Sequence, residues 1–157
     1  MYEKVSFRNI LNESSSTAKE IYENGLIEKS FNFRDGLDKL IKEDKTGKWI
    51  FFAGKRWSYF DYEKGLDALI EKDKIGNIII DAGNDWPKFN YEKGLNMLIT
   101  KDKTGKWVYW AGTEWPKFDY EKGLDILIKK DKTGEWIYGA GKEWPEFDYK
   151  KGFNALI

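Results

Sequence analysis

Glycine returns at positions 36, 65, 94, 123 and 152, and phenylalanine at 31, 60, 89, 118 and 147, each series stepping by 29 residues. The unit between them reads approximately F-[DN]-Y-E-K-G-L-D-x-L-I-x-K-D-K-T-G-K-W-I-Y-x-A-G-x-x-W-P-x. Regular copies occupy 31–59, 60–88, 89–117 and 118–146, and a partial copy fills 147–157. One period earlier, 2–30 is a divergent copy in which Leu11 aligns with Leu40, Thr17 with Thr46, Ile21 with Ile50 and Gly25 with Gly54. A unit this short cannot bury a core by itself. The chain must therefore fold as one array, 1–157, in which each copy is stabilised by its neighbours.

Which elements build the unit follows from comparing the copies. Asp61, Asn90, Asp119 and Asp148 precede an apolar-periodic run and suit the N-cap of a first helix. After that cap, Tyr62, Leu66, Leu69 and Ile70 share one arc, while Glu63, Lys64, Asp67 and Glu71 lie opposite. Gly65 falls on the apolar arc, where its cost to a helix implies another backbone passing close by. The second half is ambiguous by composition, since IGNIIIDAG has strand propensity and the unit could contain short aromatic β-strands. The constant positions decide for a helix. Trp49, Ile50, Ala53, Gly54 and Trp57 fill one arc at about 100° per residue, and the changeable positions 48, 52, 55 and 56 fill the other. In the divergent copy, Thr17 to Glu20 reads as a capping box opening a helix, and Trp-Pro closes the second helix of the later copies.

Each unit is thus expected to be a helix-turn-helix pair, and the chain an all-α, right-handed α-solenoid. In kind it resembles HEAT, TPR and Sel1 arrays, although the 29-residue unit and its W-I-Y-x-A-G-x-x-W-P signature follow none of those patterns. The resemblance implies helix-pair stacking and transfers no functional residue. The turn between the helices carries Asp-Lys-Thr-Gly, the tetrapeptide that resembles the phosphorylated aspartate motif of P-type ion pumps. Those pumps need it after a buried strand in a much larger domain. Here it reads as a turn, with Thr46, Thr104 and Thr133 as N-caps of the second helix.

Composition narrows the chemistry. The chain has no Cys and no His, which removes thiol nucleophiles, Cys/His zinc sites and Ser-His-Asp triads. No cofactor is expected, and any metal would need carboxylates alone. Carboxylates are plentiful but repeat with the unit, whereas catalysis needs one asymmetric site; the expectation is a non-enzymatic protein with no catalytic residues. Basic and acidic residues balance at 27 each, so no net field draws it to nucleic acid or an anionic membrane. The N-terminal segment lacks a signal-peptide core and no run approaches a membrane span, which together predict a soluble cytoplasmic protein.

Function is sought where near-identical copies differ. The changeable face of the second helix reads Lys48, Phe52, Lys55, Arg56, then Asn77, Asp81, Asn84, Asp85, then Lys106, Trp110, Thr113, Glu114, and finally Glu135, Gly139, Lys142, Glu143. From this ridge the candidate partner-binding residues are Lys48, Phe52, Arg56, Asp81, Asp85, Lys106, Trp110 and Glu114. Aromatics and Arg dominate interface hot spots, which favours a protein partner and a stoichiometric inhibitor or adaptor, of the kind mobile elements use against host defences. Solvent-facing drift is the plainer reading of such positions, but Phe and Trp are odd products of drift on a wet face. The constant Trp49, Trp57, Trp86, Trp107, Trp115, Trp136 and Trp144 are read as core.

Two alternatives use the same residues. Aromatics interleaved with Lys could stack single-stranded bases, although net charge alternates along the five copies as −1, +3, −3, +2 and −2 and interrupts a phosphate track. The G-K-W-x-Y segment also looks like carbohydrate or cell-wall binding repeats, whose units are shorter and all-β. Last, the array stops partway through a copy at Ile157. The final helix, FDYKKGFNALI, leaves an apolar arc uncovered, so either self-association through this end or truncation from a longer array is expected.

Overall fold

The computed structural model describes residues 14–157, which form ten helices and, among the described residues, no strand. In chain order these are α1 (Ser14–Ile27), α2 (Phe33–Glu43), α3 (Lys48–Arg56), α4 (Tyr62–Lys72), α5 (Asn77–Asp85), α6 (Tyr91–Lys101), α7 (Lys106–Glu114), α8 (Tyr120–Lys130), α9 (Glu135–Glu143) and α10 (Tyr149–Leu156). Each regular copy supplies an 11-residue first helix and a 9-residue second helix. The β alternative for the aromatic segment is therefore excluded: all four such segments coil. Leu11 and the first half of copy 2–30 lie outside the described residues. The capping box proposed at Thr17 does not start a helix, because α1 already begins at Ser14.

The first helices start as expected. Asn32, Asp61, Asn90, Asp119 and Asp148 each sit in extended backbone, and each side chain accepts the N–H of the residue three positions on. One residue before the cap, a Phe ring folds back onto the helix. Phe60 covers Gly65, Phe89 covers Gly94 and Phe118 covers Gly123, so closely that a methyl group on any of these glycines would strike the ring. This is a hydrophobic staple with glycine as the receiving residue. What passes close to the recurrent glycine is the copy's own phenylalanine and not a second backbone.

The turn differs from the expected threonine cap. Gly47, Gly105 and Gly134 occupy the N-cap positions in left-handed backbone, φ between 78° and 90°, and offer no side chain. The capping group is the aspartate that ends the first helix. In the third regular copy one oxygen of Asp102 accepts the N–H groups of Trp107 and Val108 at 2.7 and 3.0 Å. The other oxygen accepts the N–H groups of Thr104 and Gly105 and the Thr104 hydroxyl. Asp44 and Asp131 repeat the pattern. Threonine loses the cap because its short side chain is already turned back toward the aspartate, leaving its oxygen to accept only a 3.3 Å bond from the N–H two residues on, that of Lys106.

Two compact units emerge, one reaching to Asp73 and including Trp86–Lys88, the other comprising Lys74–Asp85 and Phe89–Ile157. Inside each, second helices stack on second helices (α1 on α3; α5 on α7 on α9) and first helices on first helices (α2 on α4; α8 on α10). Each is an all-α helical repeat with the helix-pair stacking of an α-solenoid. The joint is the same in both units. The Trp that closes a second helix packs its indole against the glycine of the preceding second helix: Trp57 on Gly25, Trp86 on Gly54, Trp115 on Gly83, Trp144 on Gly112. Its indole N–H donates to a carbonyl 35 residues upstream, Trp57 to Tyr22, Trp86 to Phe51, Trp115 to Ile80 and Trp144 to Tyr109, at 2.9–3.0 Å. Around these buried rings, Leu40, Ile50, Leu69, Ile79, Leu98, Val108 and Leu127 are fully buried. At about 25 cal/mol per Å² of apolar surface, this layer supplies most of the driving force for folding.

Candidate functional site

A second helix of two and a half turns has its Ile or Val, Ala and Gly buried against neighbouring helices and turns its remaining side chains outward. In the first unit Lys48, Lys55 and Arg56 on α3 are exposed and Phe52 is half-buried. In the second unit Asp81 on α5 and Lys106 and Glu114 on α7 are exposed, while Asp85 and Trp110 are half-buried. Every predicted ridge residue therefore lies on the outward side of its own helix. Phe52 and Trp110 are partly covered because each rests on other rings. Phe52 lies 5.2–6.1 Å from the Phe51, Trp49 and Tyr22 rings, and Trp110 lies 5.1 Å from Tyr109.

Two kinds of constant tryptophan exist. Trp57, Trp86, Trp115 and Trp144 are core residues, 3–5% exposed. Trp49, Trp107 and Trp136 are only half-buried and stand at the edge of the ridge. The difference has a local cause: the first group follows the helix in extended backbone that directs the ring inward, whereas the second occupies the first turn of the helix, at its outer edge. Trp49 stacks at 5.5 Å on Tyr22, and Trp136 at 5.5 Å on Tyr109. Constancy across the copies hid this distinction; spacing from the Asp-Lys-Thr-Gly turn would have revealed it, since Trp49 falls three residues before Phe52 and next to it on the helix surface.

Lysines lie over several of these rings. The Lys48 ammonium is 4.9 Å from the Trp49 ring centre, Lys106 is 4.9 Å from Trp107, and Lys142 is 5.6 Å from Tyr138. The outward face of the second helices is thus a set of partly covered aromatic rings bordered by Lys and Arg on α3, by Asp on α5 and by both signs on α7. Such a surface offers apolar area with charge at its rim.

The first helices offer less. In the second unit, open grooves of about 440 and 350 Å³ are lined by equivalent residues, Tyr120, Leu124 and Phe147 in one and Tyr91, Leu95 and Phe118 in the other. Burial raises the Tyr120 phenol above its ordinary range, with the Glu146 carboxylate adding to the shift. Lys151 at the same groove is tied to Asp125 at 2.6 Å. The Asp-Lys-Thr-Gly aspartates are poor candidates for phosphoryl chemistry. Asp44 and Asp102 are 2% exposed, and both oxygens of each already accept hydrogen bonds from the turn. Among the described residues, no group of three or more acidic side chains is placed to hold a metal ion, and no helix is long and apolar enough to cross a membrane. Compared with known protein families, curated proteins and solved structures, the chain matches none of them.

Proposed function

We propose that this protein is a non-enzymatic binding scaffold whose second helices engage a protein partner, acting by occlusion as a stoichiometric inhibitor or adaptor. The observation that carries this reading is the contrast between the two faces of one short helix. The inward face repeats the same Ile or Val, Ala and Gly in each stacked copy. The outward face differs between copies, with half-buried Phe52 among basic residues on α3, acidic residues on α5, and half-buried Trp110 among charges of both signs on α7. Large rings flanked by Arg and Lys, already ordered by neighbouring rings, lose little side-chain freedom on docking and are the residues that dominate hot spots.

The test is capture of a stoichiometric protein by the wild-type chain and by two sets of variants. Lys48→Glu with Arg56→Glu reverses exposed charges and gives up only the Lys48 contact over the Trp49 ring; Phe52→Ala with Trp110→Ala removes the rings. Because both rings touch neighbours, the second pair is expected to lower stability by about 1–2 kcal/mol while preserving helicity. Loss of capture in both sets supports the ridge, and undiminished capture removes it.

The lysines over Trp49 and Trp107 favour a second reading, in which a single strand of nucleic acid stacks on these rings. Binding that falls steeply with salt and is lost in Lys48→Glu and Lys106→Glu would support it. The acidic groups on α5, α7 and α9 rank it below the first reading.

A further inference from the structure

The two grooves of the second unit are built from equivalent positions but carry different charge. The groove between α6 and α8, about 350 Å³, sets Glu92 and Asp119 against Lys117 and Lys122. The groove between α8 and α10, about 440 Å³, sets Glu121, Glu146 and Asp148 against Lys151 alone. The change of balance comes from one position of the unit, Lys117 in one copy and Glu146 in the next. Their remaining lysines are also held differently. Lys122 donates to the neutral Asn96 side chain at 2.6 Å, whereas Lys151 pairs with the Asp125 carboxylate at 2.6 Å and so offsets little of the negative charge around it. The field of Glu146 reaches the groove wall, since it adds to the effect of burial on the Tyr120 phenol, while burial alone acts on the equivalent Tyr91. The α6–α8 groove stays open although α9 and α10 follow it, so the opening belongs to the repeating unit.

We infer that the groove between α8 and α10 is a binding site for an arginine side chain carried by another polypeptide. Its walls are the Tyr120 and Phe147 rings over buried Leu124. Both rings are held by Trp144, at 5.6 and 6.3 Å, so little freedom is lost when the groove fills. A cation is drawn to ring faces, and more strongly where carboxylates border them. The planar guanidinium can lie on a ring while its N–H groups serve carboxylates from two elements, Glu121 in the first turn of α8 and Glu146 before α10. A lysine ammonium offers the charge without the stacking. Free arginine fits less well, because its α-carboxylate would enter the same negative field, and an arginine within a chain has none. This inference is independent of the ridge, since the groove is formed by first helices and the segment before α10.

The experiment titrates the isotope-labelled full chain, at low salt, with acetyl-Gly-Arg-Gly-amide, with the same peptide carrying neutral citrulline for Arg, and with free arginine. The expected result is saturable shifts at the amides of Glu121, Phe147 and Asp148 in the millimolar range, at least tenfold weaker for the citrulline peptide and for free arginine. Glu146→Lys, an exposed change that installs the residue found at the α6–α8 groove, should weaken binding at least tenfold at unchanged helicity. The reciprocal Lys117→Glu should create a second set of saturable shifts, at Glu92 and Phe118. Equal binding of the citrulline peptide, shifts mapping elsewhere, no saturation, or undiminished binding by Glu146→Lys would overturn the inference. Equal binding of free arginine would overturn the assignment to a polypeptide.

Discussion

At the scale of single residues, the aspartate of Asp-Lys-Thr-Gly holds the turn together. Its carboxylate gathers five donors across seven residues in the Asp102 copy, and removing it leaves buried N–H groups at the start of α7 unsatisfied. Asp102→Ala is therefore expected to cost about 2–3 kcal/mol, since bonds to a charged acceptor exceed an ordinary cap. Thr104→Ala, which removes only a 3.3 Å acceptor and one hydroxyl donor, should cost less than about 1 kcal/mol. Urea denaturation of the two variants measures the difference, and the opposite order would return the cap to threonine. The sequence placed the turn correctly but chose the wrong capping residue. Asp and Thr both have capping chemistry, and the choice depends on the left-handed glycine that swings the aspartate, not the threonine, beneath the next helix.

Helices were the more legible level. The 29-residue period, the first-helix caps and the inward arc of the second helix all follow from pattern, because burial against identical neighbours imposes the same residue at the same place in each copy. Contacts that cross from one copy to the next were not legible. Nothing in the spacing shows that a tryptophan will lie on a glycine of the preceding second helix; that Trp49, Trp107 and Trp136 stay half outside was within reach of the spacing but masked by their constancy. That joint gives a test whose sign is informative. In an exposed helix Gly→Ala stabilises by about 1 kcal/mol. Gly112→Ala should instead destabilise by about 1–3 kcal/mol, because the new methyl meets the rigid indole of Trp144. A rise in melting temperature would mean that the ring does not sit there.

For the whole molecule, alkaline pH is the condition to which the fold is sensitive. Burial raises the phenols of Tyr62, Tyr91 and Tyr120 above their ordinary range, Tyr120 with help from Glu146. A group whose folded pKa is raised contributes stability that is complete below its unfolded value and lost as pH rises through the folded value. Stability should thus be level across neutral pH and decline above about pH 10. In a variant whose other tyrosines are replaced by Phe, the phenolate absorbance of Tyr62, Tyr91 and Tyr120 should rise together with loss of helical dichroism; its rise well before any loss of helix would contradict the burial. The indole bonds have a different consequence. Every one of them spans 35 residues, hardly more than one period, so no copy depends on a distant part of the chain. If 89–117 were excised, Trp144 would fall 35 residues from Phe51 O's successor in the pattern, Ile80, and meet the same acceptor geometry. A gene built this way can gain or lose modules in whole periods during descent without rewriting any surviving bond.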